Sequence, residues 1–296
     1  MNDMLLDAAR RHADGHCRDG VAPTPIRGLT VLRELVPSPL EYAISKPLVA
    51  IVLQGGKRVT LGSSTFDFGA GQSLLITTDV PTVSQITQAS AGCPYLSLVI
   101  DLDPAVIEAL VIGMGSVPFA PGEPVRVDTT EEEVKDAALR LMRLLDRPAA
   151  LPVLQDQLIR ELHFWLLSGR HGGAIRTLGV TNSYAQRVAR AVSMIRSDYA
   201  KTLRVQELAE AAGMSASAFH EHFRMITSLT PLQFQKQLRL IEARRMLLAE
   251  GATISNAAYA VGYESVPQFT REYGRMFGLP PSRDVRAARR RIQEPA

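Results

Sequence analysis

The sequence predicts a multi-domain α+β chain: an N-terminal antiparallel β-barrel with packed helices, then a C-terminal all-α domain with two helix-turn-helix motifs. Three observations carry that expectation. A frame of Ala, Gly, aromatic and Pro residues occurs twice between positions 203 and 286. Short apolar runs separated by turn signals fill positions 29–102. The charge is divided unevenly, with 17 Lys and Arg against 10 Asp and Glu from position 179 onward but 16 against 20 before it.

The repeated frame is the most specific signal. Ala209 is followed by Gly213, Phe219, Phe223 and Pro231, and Ala258 by Gly262, Phe269, Tyr273 and Pro280. Each Ala-x-x-x-Gly segment predicts a short helix ended by a left-handed glycine. A second helix follows at once, capped by Ser215 or Ser265 and burying Phe219 and Phe223, or Phe269, Tyr273 and Phe277. Between the copies Thr230 is placed as a cap, Pro231 at the first helical position and Gln233 for a capping box, with a helical pattern running to about Glu250. That rod of about 20 residues is about 30 Å long, close to the roughly 34–36 Å of one turn of B-DNA.

At about 100° per residue, Ser217, His220, Glu221 and Arg224 share the free face of the first helix, and Pro267, Thr270, Arg271 and Gly274 that of the second. Arg271 can donate to guanine O6 and N7 together, Gln268 can pair adenine, and His220 or Glu221 can address a base edge. Glu221 has two readings, acceptance of a cytosine amino group or a pair with Arg224. Ser217, Arg224 and Thr270 suit the phosphate backbone. The expected partner is double-stranded promoter DNA, and the excess of basic residues in this half is what phosphate binding needs.

Positions 183–291 resemble the DNA-binding domain of the AraC/XylS family of bacterial transcription regulators. The match lies in Leu208-Ala209-x-x-Ala212-Gly213-x-Ser215, the connecting helix, Ala257-x-x-x-Val261-Gly262-Tyr263 and Phe269-x-Arg271-x-Tyr273-x-x-x-Phe277-Gly278-x-x-Pro281. The chain departs from the family at Gly274, where a basic residue is usual, and at Asp284-Val285, where a Tyr-Arg pair is usual. The resemblance implies a homodimer, and RNA polymerase as a partner if the protein activates.

In the first half, turns at 54–57, 62–64, 69–71 and 79–81 separate strands, which suggests an antiparallel barrel or sandwich. Val80-Pro81 and Pro94-Tyr95-Leu96-x-Leu98 resemble the cupin-like sensor domain of the same family, which implies an unidentified small-molecule effector. The division expected is 1–168 for cupin-like sensing and dimerisation, 169–182 for a linker and 183–296 for DNA binding. A barrel that only dimerises is the alternative. A metal-dependent enzyme is disfavoured, because its site draws on several inward histidines and His12, His16, His163, His171, His220 and His222 all lie outside positions 29–102. No catalytic residue, metal or cofactor is therefore expected.

Around the strands, positions 1–20 read as a short amphipathic helix or a mobile arm. Further helices are expected from Asp103-Pro104 to about Met114, from Asp128 with Glu131, Glu132 and Glu133 in its first turn, and over about 153–168. Leu154, Leu158, Leu162 and Trp165 on the last are either core or dimer interface. Cys93, between Gly92 and Pro94, is a candidate redox or electrophile sensor or a small buried hydrophobe. Cys17 and Cys93 alone give no disulfide framework. No apolar run is long enough to span a membrane, so a cytoplasmic location is expected.

Overall fold

A computed structural model describes residues 2–62, 64–114, 124–180 and 183–293. The chain divides into two compact units, one ending at Gln186 and the other covering Arg187–Met225 and continuing from Leu229.

The first unit opens with α1 (Asn2–His16), then β1 (Val21–Pro23), β2 (Leu29–Glu34), β3 (Glu41–Ser45), β4 (Leu48–Gln54), β5 (Gly56–Leu61), β6 (Ser64–Gly69), β7 (Gln72–Ile76), β8 (Val80–Gln88) and β9 (Tyr95–Asp101). It continues with α2 (Pro104–Met114), β10 (Val125–Thr129), α3 (Glu132–Leu144), α4 (Leu151–Ser168) and α5 (Gly172–Gly179). The strands form a six-stranded sheet in the order β1-β2-β9-β4-β7-β10 and a four-stranded sheet β3-β8-β5-β6. Of the barrel and the sandwich that the short strands suggest, the described strands form the second, two antiparallel sheets with no closed barrel. The alternation of apolar and polar residues is the same in both architectures, and only the pairing of edge strands distinguishes them.

The six-stranded sheet is covered on both faces, which accounts for the nearly unbroken apolar runs of β4 and β9. Ala50 and Val52 with Tyr95 enter the core between the sheets, beside Val59, Phe68 and Ile86. Val49, Ile51 and Leu53 with Leu96, Leu98 and Ile100 enter a second core under the helices. That core receives Leu5, Ala9 and Ala13 of α1, Ile107 and Leu110 of α2, Val134 and Leu141 of α3, Leu162 of α4 and Ile175 of α5. The N-terminal segment is thus a packed helix rather than an arm.

Three boundaries differ from expectation. Asp128 lies in β10, opposite Ser73 of β7, and α3 starts four residues later, because a strand edge was still open to pair. Positions 169–182, read as a linker, contain α5, which packs on α2; its glycines hid the helix, and 181–182 lie outside the described residues. Along α4, Leu162 is buried while Leu154 is 44% exposed, with Leu158 and Trp165 partly buried against the core.

His163 of α4 is buried, its Nδ1–H donating to Ile159 O at 2.8 Å and its Nε2 accepting from the Asp103 N–H at 3.0 Å. Acceptance at Nε2 requires the neutral ring, and burial lowers its pKa below the usual 6.5. Its stabilising contribution is therefore present above about pH 6.5 and lost as the pH falls below that value, with a slope of at most about 1.4 kcal/mol per pH unit. Urea unfolding of the full chain between pH 8 and 5 should show this loss, and His163→Gln should remove part of the pH dependence.

The second unit is helical: α6 (Tyr184–Ser197), which crosses the division between the units, then α7 (Val205–Ala212), α8 (Ala216–Thr227), α9 (Pro231–Ala249), α10 (Ile254–Ala260), α11 (Val266–Phe277) and α12 (Pro281–Gln293). Its first aromatic core joins Phe219, Phe223 and Phe234 edge to face at 5.3 and 5.8 Å. Its second joins Tyr263, Phe269, Tyr273 and Phe277 at 5.3, 5.5 and 4.4 Å.

Candidate nucleic-acid interface

Both turns close in the same way. Met214 N–H donates to Ala209 O and Gly213 N–H to Glu210 O, while Tyr263 N–H donates to Ala258 O and Gly262 N–H to Tyr259 O. These are paired Schellman bonds, and they require the left-handed conformation that Gly213 (φ +64°) and Gly262 (φ +87°) adopt. Ser215 Oγ accepts from Ala218 N–H at 3.3 Å and Ser265 Oγ from Gln268 N–H at 3.4 Å, starting α8 and α11 as predicted. Thr230 and Gln233 exchange the two bonds of a capping box at the start of α9. At 19 residues, α9 is roughly 28 Å long.

Burial of Phe219 and Phe223 leaves Ser217, His220, Glu221 and Arg224 exposed on α8. On α11, Pro267, Gln268 and Arg271 are exposed, and Thr270 and Gly274 half-buried. Among the described residues neither Glu221 nor Arg224 has an ion-pair partner, so the pairing of these two is not formed. Gln268 Nε2 donates to Glu272 Oε1 at 3.4 Å, and Glu272 Oε2 accepts from the Tyr263 hydroxyl at 2.8 Å. A residue not singled out from the sequence joins the second face: Arg275, exposed one turn beyond Arg271. Continuing the i,i+4 row by one step would have found it.

Arginines on the preceding long helix hold each turn. Arg187 Nε donates to Ala212 O at 2.9 Å, and Arg190 donates to Ala211 O and Ala212 O. In the second copy Arg239 donates to Gly262 O at 3.1 Å, and also to Tyr199 O at 2.6 Å, Ala200 O at 3.2 Å and Lys201 O at 2.8 Å. Arg190 precedes Gly213 by 23 residues, and Arg239 precedes Gly262 by the same 23. The repeat therefore includes the long helices, a signal hidden by the poor similarity of the rest of α6 and α9. The close seat of Gly262 is sterically strict, since a Cβ there would lie 1.9 Å from Ala200 O.

The departure at Asp284 also has a role. Asp284 is buried, accepting from Arg244 Nε at 2.7 Å, from Arg244 Nη2 at 3.2 Å and from the Tyr273 hydroxyl at 2.8 Å. The Arg244 guanidinium also lies over the Phe277 ring, 5.1 Å from its centroid. Burial, then the Asp284 bond, raises the pKa of Tyr273. These contacts tie α12 to α9 and α11.

In the first unit, Cys93 is exposed, in a turn where it exchanges backbone bonds with Ser90. Between the sheets, the hydroxyls of Tyr95 and Ser97 are buried without a partner of normal hydrogen-bond geometry, although they lie near enough for Ser97 to lower the Tyr95 pKa against the larger effect of burial, which pushes it up to about 12. Among the described residues, no three His, Cys, Asp or Glu side chains are grouped to hold a metal, and no helix is long and apolar enough to cross a membrane.

Two helix-turn-helix motifs joined by a capped helix define the class of DNA-binding transcription regulators. More particularly, the chain belongs to the AraC-type regulators: residues 25–174 match the family's N-terminal domain and 208–287 a helix-turn-helix domain. The virulence regulon transcriptional activator VirF of Yersinia enterocolitica is 24% identical over 242 residues, covering 78% of this chain and 86% of VirF. An AraC-like transcription regulator of Streptomyces lividans is 27% identical over 164 residues, or 53% of each chain, so this chain matches only about half of that relative's length. The structure of ToxT from Vibrio cholerae with an unsaturated fatty acid bound shares the fold, with a TM-score of 0.57 at 10% identity over 87% of this chain and 93% of ToxT.

Two variants test the supports of the interface. Gly262→Ala should destabilise by more than about 1 kcal/mol, since it adds a clash to an unfavourable φ. Asp284→Ala strands the Arg244 charge and should approach the roughly 3–5 kcal/mol of a broken buried pair. Denaturant unfolding measures both, and a neutral Asp284→Ala would show that α12 is held by apolar packing alone.

Proposed function

We propose that the protein is a cytoplasmic, non-enzymatic, sequence-specific regulator of transcription that sets α8 and α11 into successive major grooves of promoter DNA. The observation that supports this most is the matched pair of exposed helices, each turn fixed by arginines from the preceding helix. In this reading the first unit, residues 1–168 with α5 added, senses a small molecule and carries the homodimer contact, and the second binds DNA. RNA polymerase is the further partner if the protein activates.

Arg271 reads guanine, with Arg275 on the phosphates one turn further out. Gln268 addresses adenine, and His220 or Glu221 a base edge of the other groove. Ser217, Arg224 and Thr270 position the backbone. Arg271→Ala should cost about 1–3 kcal/mol on the cognate site and relax preference at one guanine. Arg224→Ala should weaken cognate and unrelated DNA about equally and reduce the salt slope by about one unit. Titrations against a single-base substitution series at several salt concentrations separate the two. A uniform loss for Arg271→Ala would make it a phosphate contact. Footprinting should show two protected segments about one helical turn apart per protomer, and a single segment would exclude the two-groove arrangement.

Cys93 is exposed enough to meet an electrophile. Cys93→Ser should leave DNA binding intact and blunt any response to an alkylating agent in a reporter assay; an unchanged response would remove Cys93 from sensing.

A further inference from the structure

We propose that the first unit binds a small uncharged molecule in the cavity between the helix-covered face of the six-stranded sheet and helices α3, α4 and α5, rather than between the two sheets. The proposal rests on the reading that this unit senses a ligand, and it names the site and the class of ligand.

The cavity is about 40 Å³, room for roughly three water molecules at ~10–15 Å³ each. Val49, Leu75, Val134, Leu166 and Ile175 give it an apolar wall, and Ser73, Thr129, Thr130, Glu131, Arg170 and His171 a polar rim. Thr130 is 3% exposed, and its Oγ1 has no hydrogen-bond partner. A buried hydroxyl is rarely left unsatisfied, because the lost bond costs about 1–3 kcal/mol. Its position on the wall of a cavity supplies a reason: a ligand's hydroxyl or carbonyl completes it.

The polar groups of the rim are largely engaged already. Arg170 Nη1 donates to Asp128 Oδ1 at 3.0 Å, and Glu131 Oε1 accepts from the Arg170 N–H at 2.8 Å. His171 Nδ1 lies 3.4 Å from Arg126 Nη1. His171 Nε2 lies 3.0 Å from Asp128 Oδ2, so both ring nitrogens already face polar groups of the rim. Arg170 and Asp128 are thus paired, Glu131 accepts from a backbone N–H, and Arg126 faces the imidazole. What remains for a guest is an apolar wall and one hydroxyl. That complements a molecule of a few non-hydrogen atoms with an aliphatic or small-ring body and a single hydrogen-bonding head. An ionised guest would lose its hydration against that wall.

The site's position gives occupancy a route to output. Arg170 and His171 belong to the connection from α4 to α5, after which the chain passes into the DNA-binding unit. A bound molecule would hold that connection against β10 and α3. The space between the sheets, by contrast, is packed with Val52, Val59, Phe68, Leu74, Ile86 and Tyr95.

The test titrates the full-length protein with ethanol and with acetone, read by saturation-transfer NMR and by the unfolding midpoint. Saturable binding is expected for at least one probe. Thr130→Val, which keeps the shape and removes the hydroxyl, should weaken it at least fivefold. Val134→Phe, or Leu166→Phe should the first not fold, should abolish it. Tyr95→Phe, which alters only the space between the sheets, should leave it unchanged. No saturable binding of either probe, as for a cavity that holds water alone, would overturn the proposal, as would wild-type binding by Thr130→Val. Loss on Tyr95→Phe with Thr130→Val unaffected would also overturn it, by moving the site between the sheets, while leaving the sensing reading in place.

Discussion

The hydrogen bonds from Arg239 to four backbone carbonyls are the constraint on which the arrangement of the second motif depends. Two chain turns, Tyr199–Lys201 and Gly262, leave carbonyls that no helix or strand can satisfy, and the planar guanidinium of a residue on α9 meets them together. Gln235, one turn earlier on α9, adds bonds to Tyr199 O at 2.9 Å and Lys201 O at 2.7 Å. The Gly262 turn therefore cannot rotate about α9 without exposing several buried polar groups at once. Burial lowers the Arg239 pKa while Tyr263 and Glu272 oppose the effect, so the charge is held by the second motif as well as holding it.

The first motif repeats this logic with different chemistry in detail. Arg187 and Arg190 of α6 reach the last carbonyls of α7, where a helix C-terminus leaves acceptors without donors. Each recognition helix is then anchored by aromatic packing below and by an arginine-capped turn at its start. This leaves the exposed face defined by rigid backbone rather than by the exposed residues themselves. At the far end of the second motif Asp284 completes the set. Its buried carboxylate receives both Arg244 and Tyr273, so that α12 closes the aromatic core.

The first unit follows from a different constraint. A six-stranded sheet with both faces apolar needs two covers, and the four-stranded sheet supplies only one. Helices α1 to α5 supply the other, which is why the segment read as a short helix or an arm, and the one read as a linker, both pack as helices. A cavity remains between this sheet and the helices beside β10, and there the Thr130 hydroxyl is buried without a partner.

The repeated frame was legible in the sequence because turns and caps are local. Gly213, Gly262, Ser215, Ser265, Thr230 and Gln233 act through bonds within a few residues of themselves, so composition and spacing alone placed α7 to α11 and the exposed positions on them. Short strands and their turns were legible for the same reason. Arg190, Arg239 and Asp284 were not, because each acts on a partner 21 to 40 residues away, and nothing local distinguishes such an arginine from one in solvent. The same limit hid α5, β10 and the choice between barrel and paired sheets. The alternation of side chains decides which face of a strand is buried, but which edge it pairs with, and what covers the sheet, is settled only when distant segments compete for the same hydrogen bonds and the same apolar surface.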